Sequence, residues 1–121
     1  MPQQTILVID DDPATQTVLE IALRAAGYRV ALASDGREGI HLLESSRPSL
    51  VICDMLMPGM DGVETFNTIK SRLQDDGIPI FITSALQRKP WFADLEAEGA
   101  VVLQKPIELD RLLHLIDAAL S

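Results

Sequence analysis

Five short apolar runs rich in Ile, Val and Leu alternate with amphipathic segments, at about 5–10, 28–33, 50–54, 78–84 and 100–103. Because the runs are continuous and do not alternate strictly with polar residues, they predict strands buried on both faces, as in a parallel sheet, with helices as the cover. In the first intervening segment Asp12 is the predicted N-cap and Pro13 the first helical residue. Val18, Leu19, Ala22, Leu23 and Ala26 form its inward stripe and Gly27 ends it. A second helix is predicted at about 36–45 with Ile40 and Leu43 inward. A third, at about 62–73, has Val63, Phe66, Ile69 and Leu73 inward and is closed by Asp75-Asp76-Gly77. The fourth, about 89–98, has a poor stripe because Pro90 is followed by the adjacent aromatics Trp91 and Phe92. In the fifth, about 108–120, Leu109, Leu112, Leu113, Ile116, Ala119 and Leu120 recur at three- and four-residue spacing.

A βα unit repeated five times predicts an α/β fold: a flavodoxin-like, doubly wound, five-stranded parallel sheet of order 2-1-3-4-5 with five helices. In that order the first and third strands are neighbours at the switch point, so Asp10 and Asp11 after one and Asp54 at the end of the other would meet in one crevice.

Length and composition narrow the setting. At 121 residues the chain fits one domain, expected over 1–121. Three Phe, one Trp and one Tyr leave the core to aliphatic side chains. Cys53 has no second cysteine to pair with, which favours a reducing compartment and a cytoplasmic location. No apolar run approaches the roughly 20 residues of a membrane span, and residues 1–4 lack the features of a secretory signal. A net charge of −8 opposes direct binding to nucleic acid.

The strand ends carry the candidate chemistry: Asp10-Asp11-Asp12, Asp54, Thr83-Ser84 and Lys105-Pro106. Asp12, before Pro13, is expected to be the helix cap. Two carboxylates about 4 Å apart repel by ~4 kcal/mol at an effective dielectric near 20, so converging acids call for a cation. Lys105 alone would not neutralise three. Oxygen-only ligands with room for water suit Mg²⁺. His41 and His114 fall on predicted helices, away from every strand end, and are expected on the surface. The two-residue period of a strand points Cys53 away from Asp54, as a buried small hydrophobe. The same period lets only one of Thr83 and Ser84 face the crevice edge favourably.

Together these motifs resemble a response-regulator receiver domain of the small chemotaxis-regulator type, over essentially all 121 residues. They occur in order as Asp10-Asp11, Asp54 with Met57-Pro58-Gly59-Met60-Asp61-Gly62, Ser84-Ala85, and Lys105-Pro106. The resemblance implies a phosphoryl-accepting switch of a two-component phosphorelay, with Asp54 the acceptor and a histidine kinase or phosphotransfer protein the donor. It implies Mg²⁺ held by Asp11, Asp54 and the backbone carbonyl of Leu56, Asp10 accepting hydrogen bonds from its waters, and Lys105 pairing with a phosphoryl oxygen. Counting from Pro79 makes Ser84 the switch hydroxyl, its movement altering the surface of the fourth helix, fifth strand and fifth helix. A downstream protein target or tethered output domain would read that surface. No membrane or direct nucleic-acid contact is expected.

Val102 stands where many family members carry an aromatic residue that swings inward, and a β-branched side chain cannot make that swing. Ile107 replaces a common Phe. Leu56 and Leu86 stand where polar side chains often orient an attacking water, so slow loss of phosphate is expected. One rival is an Mg²⁺-dependent aspartate-nucleophile phosphatase. It would need a second acid two residues after Asp54, where Leu56 stands, so no enzyme activity beyond self-phosphorylation and slow self-dephosphorylation is expected. The other rival, a degenerate receiver acting only as a protein-binding module, would have lost site residues, and none is lost.

Overall fold

The computed structural model describes residues 3–54, 67–68, 71, 77–85, 92–97 and 99–121. The five strands are β1 (Thr5–Ile9), β2 (Arg29–Ala33), β3 (Leu50–Asp54), β4 (Ile80–Ser84) and β5 (Val101–Gln104). They form one parallel sheet in the order β2-β1-β3-β4-β5, as the alternation of apolar runs predicts. Four helices lie among the described residues: α1 (Pro13–Ala25), α2 (Gly36–Ser46), Phe92–Ala97, and a C-terminal helix, Leu109–Leu120. Of the predicted third helix only Asn67, Thr68 and Ser71 are described, and they are helical. Its inward residues, the Met57–Gly62 motif, Leu56, Leu86, Lys89, Pro90 and Trp91 lie outside the described residues.

Each face of the sheet has its own core. On one, Leu19 and Leu23 of α1 and Leu112 and Ile116 of the C-terminal helix pack with Ile6, Val8, Ile52, Phe81 and Leu103. On the other, Leu43 of α2 and Leu95 of the Phe92–Ala97 helix pack with Leu7, Ile9, Cys53 and Ile82. Central strands flanked on both sides explain why β1, β3 and β4 read as unbroken apolar runs.

The α1 stripe is narrower than its sequence suggests. Leu19 and Leu23, one turn apart, are buried, whereas Val18 is 48% exposed and Ala26 is exposed. Consecutive helical residues diverge by about 100°, so Val18 cannot share the centre of a stripe that Leu19 occupies. On the C-terminal helix Leu112 and Ile116 take the core, whereas Ala119, in the last turn, is exposed. Phe92, the first residue of its helix, is buried at 2% exposure.

Helix ends follow the sequence closely. Asp12 caps α1, its Oδ1 accepting from the Ala14 backbone N–H at 3.3 Å and its Oδ2 from the Thr15 hydroxyl at 2.6 Å. The Thr15 hydrogen bond holds the Asp12 carboxyl below its usual pKa. Asp35 caps α2 by accepting from the Glu38 N–H at 2.8 Å. Gly27, at φ +97°, supplies the left-handed residue after α1. Gly39 has a packing role that the sequence did not reveal. A Cβ there would lie 2.8 Å from Ile9 Cγ1 and closer still to its Cδ1, so the glycine lets α2 sit directly on β1. No helix among the described residues is long and apolar enough to cross a membrane.

Candidate functional site

The carboxyl ends of β1, β3, β4 and β5 form one edge, and strand periodicity decides which side chains share it. Side chains of registered residues on parallel strands project from the same face. Asp10, two residues after Val8, and Asp54, two after Ile52, fall on the face covered by α1 and the C-terminal helix. Both are buried, at 2% and 6% exposure, while Asp11 is exposed. One carboxylate oxygen from each of Asp10, Asp11 and Asp54 lies within 4.8 Å of the others. The convergence expected from the 2-1-3-4-5 order is therefore present.

Lys105 completes the cluster. Its Nζ donates to Asp10 Oδ2 at 3.0 Å and lies 3.4 Å from Asp54 Oδ2. Burial pulls the lysine pKa down, but the hydrogen bond to Asp10 and the charges of Asp54 and Asp10 outweigh it, and the net direction is up. Lys105 is thus firmly an ammonium at neutral pH. Its own N–H donates to the Ser84 carbonyl at 2.7 Å, and its peptide bond to Pro106 is cis. Three carboxylates against one ammonium leave the edge net negative among the described residues.

Asp10 is fixed from several sides. Its Oδ1 accepts from the Asp12 N–H at 2.9 Å and its own N–H donates to the Ala33 carbonyl at 3.0 Å. Gln16 Nε2 donates to the carbonyls of Asp10, at 2.5 Å, and Ala33, at 3.2 Å, binding the end of β1 to that of β2. Sequence reasoning missed Gln16. It lies one helical turn after the cap Asp12, and that spacing was the only available hint.

The remaining candidates fall into place. Cys53 is buried among the opposite face's aliphatic residues and its thiol donates to the Asp54 carbonyl at 3.4 Å. Burial pushes its pKa up, with Asp54 and Asp10 adding to the effect, so it is no nucleophile. His41 and His114 are exposed on α2 and the C-terminal helix. Ser84 and Thr83 are both buried at the end of β4. By alternation Ser84 follows Ile82 on the α2 face, and Thr83 follows Phe81 on the face of Asp54. Val102 is half-buried against the α2-face cluster, in register with Ile82. Leu56 lies outside the described residues.

A doubly wound sheet whose switch-point edge gathers three carboxylates and a lysine defines a domain suited to a hard cation and a phosphate-like anion. The chain belongs to the response-regulator receiver-domain family, whose profile, the response regulator receiver domain, matches residues 6–117. It is similar to the response regulator MprA of Mycolicibacterium vanbaalenii, with 39% identity over 116 residues, which are 95% of this chain and 49% of that protein. It is also similar to the transcriptional regulatory protein ZraR of Escherichia coli K12, 36% identical over 117 residues, 96% of this chain and 26% of that protein. The chain spans about half the length, or less, of these curated relatives.

Solved structures agree. The chemotaxis protein CheY4 of Vibrio cholerae matches with a TM-score of 0.88 and 28% identity, covering 98% of this chain and 100% of that one. The receiver domain of the sensor histidine kinase PA1611 of Pseudomonas aeruginosa matches with a TM-score of 0.85 and 28% identity, covering 98% of each chain. That structure has a magnesium ion coordinated in its active-site cleft. The chain is a receiver domain of the two-component response-regulator type.

Proposed function

We propose that Asp54 accepts a phosphoryl group from a phosphohistidine on a histidine kinase or phosphotransfer protein, and that 1–121 works as one receiver unit. The observation that carries this reading is the placement of Asp54 at a strand end, beside the Lys105 ammonium at 3.4 Å and within the Asp10–Asp11–Asp54 cluster. The donor set is all oxygen, which fits Mg²⁺. Asp10, Asp11 and Asp54 would hold it, with the carbonyl of Leu56. When bound, the cation supplies charge neutralisation for the phosphoryl oxygens.

The chain's own residues do the rest. An Asp54 carboxylate oxygen forms the new bond to phosphorus as the donor's nitrogen–phosphorus bond breaks and the imidazole leaves with the electron pair. Lys105 holds a second phosphoryl oxygen by a charge-assisted hydrogen bond. Asp10 keeps partners that do not depend on the lysine: its Oδ1 accepts from the Asp12 N–H and its backbone carbonyl from Gln16. Such transfer needs mainly positioning and electrostatic stabilisation, which a preformed edge provides.

Ser84 would report the event by turning its hydroxyl toward the phosphoryl group, and its carbonyl already binds the Lys105 N–H. The surface formed by the Phe92–Ala97 helix, β5 and the C-terminal helix would then change. Val102 packs against its neighbours and does not relay the change by an aromatic swing. A separate target or a tethered output domain would read that surface. A buried lone thiol at Cys53 fits the reducing cytoplasm. The test is incubation with acetyl phosphate and Mg²⁺ followed by intact mass. Gain of one phosphoryl group, lost when Mg²⁺ is withheld, is expected; no gain under either condition would sink the reading.

A further inference from the structure

Asp10 on β1, Asp54 on β3, Thr83 on β4 and Lys105 just beyond β5 all fall on one face of the sheet. Thr83 is the register partner of Asp54 on one side and of Leu103 on the other. β4 lies between β3 and β5, yet the Lys105 ammonium reaches Asp54 on β3 and Asp10 on β1. Its stem therefore crosses the end of β4 on the side where Thr83 stands.

Thr83 is only 1% exposed, and its Oγ1 has no hydrogen-bond partner among the described residues. A buried hydroxyl without a partner weakens the fold, and Val would fill the same space with no polar atom. A costly hydroxyl beside the lysine stem and next to the Asp54 carboxylate calls for a state in which it is bonded.

We propose that Thr83 Oγ1 is the second docking point of the Lys105 ammonium. With the carboxylates engaged by a divalent cation, Lys105 gives up its hydrogen bond to Asp10 and donates to Thr83. The ammonium has three N–H donors, so one bond to Thr83 leaves two for Asp54 and a phosphoryl oxygen. Thr83 is a positioning residue: it raises cation affinity by giving the displaced lysine a partner, without touching the cation. This rests on the phosphoacceptor reading of the same edge.

Calorimetric titration with Mg²⁺ alone tests it. Thr83→Val should weaken binding about tenfold, the worth of one hydrogen bond to a charged group, while raising the Tm of the cation-free protein. Thr83→Ser should keep near wild-type affinity. In a Lys105→Met background Thr83→Val should leave affinity unchanged, because the lysine is the only route by which it acts. Unchanged affinity in Thr83→Val, or an equal loss in the Lys105→Met background, overturns the proposal. Mg²⁺ affinity that is absent in wild type or identical in Asp11→Asn overturns instead the site reading beneath it.

Discussion

On the α2 face of the sheet Val51 and Cys53 pack with Ile9, Ile82 and Leu43; on the α1 face Leu50 and Ile52 pack with Val8, Phe81 and Leu103. Both cores are mainly aliphatic, with Phe81 on the α1 face. At the carboxyl edge they part. The α1 face continues into Asp10, Asp54, Thr83 and Lys105, whereas the α2 face ends on Cys53 and Ser84. Neighbours in sequence, Cys53 and Asp54, thus become a core thiol and a candidate phosphoacceptor because one residue of register separates the two faces. The different fates of Cys53 and Asp54 are set by which face each joins.

That contrast can be attacked at its strongest point first. Lys105→Met should slow phosphorylation by acetyl phosphate about 10²-fold, as loss of a preorganised donor does, while the far-ultraviolet spectrum is retained. A loss of less than about threefold would mean that the α1-face edge gains little from its lysine. On the opposite face Gly39→Ala forces a Cβ against Ile9. It should cost about 1–3 kcal/mol in chemical unfolding and leave the phosphorylation rate of the folded protein near wild type. A loss of rate without a loss of stability would show that the faces are not separable.

Millimolar Mg²⁺ should raise the Tm of wild type by several degrees through mass action, and of Asp11→Asn far less. Equal increases in both would remove Asp11 from the ligand set. The smallest effect concerns Cys53. Burial raises its pKa, so the folded state keeps a proton that the unfolded chain sheds above about pH 8.5. The contribution is fully present below that pH and is lost as pH rises, by up to about 1.4 kcal/mol per pH unit. Wild type should therefore lose stability relative to Cys53→Ala between pH 8.5 and 9.5, measured by urea unfolding. Parallel curves for the two proteins would place the thiol in a wetter environment.

Strand order and the meeting of Asp10, Asp11, Asp54 and Lys105 were legible because a switch point follows from five βα units and the residues mark strand ends. The helix cap at Asp12 was legible because it stands directly before Pro13. What escaped was tertiary. Val18 and Ala26 belong to an apolar pattern of which only Leu19 and Leu23 are fully buried, and Ala26 falls on the cap after the helix ends. Gln16 looks like any polar helix residue until β1 and β2 place two carbonyls within its reach. Which sheet face each of Thr83 and Ser84 joins cannot be assigned from periodicity within β4 until the helices are docked.

The central claim is that the α1-face edge directs the phosphoryl group to Asp54, and locating the group tests it most directly. Protein phosphorylated by acetyl phosphate in Mg²⁺ would be reduced with borohydride, which converts an aspartyl phosphate to homoserine, and then mapped by peptide mass spectrometry. Homoserine at position 54, with no conversion at 10, 11 or 12 and none anywhere in Asp54→Asn, is the predicted result. Conversion at any of those other acids in wild type, or label persisting in Asp54→Asn, would contradict the account.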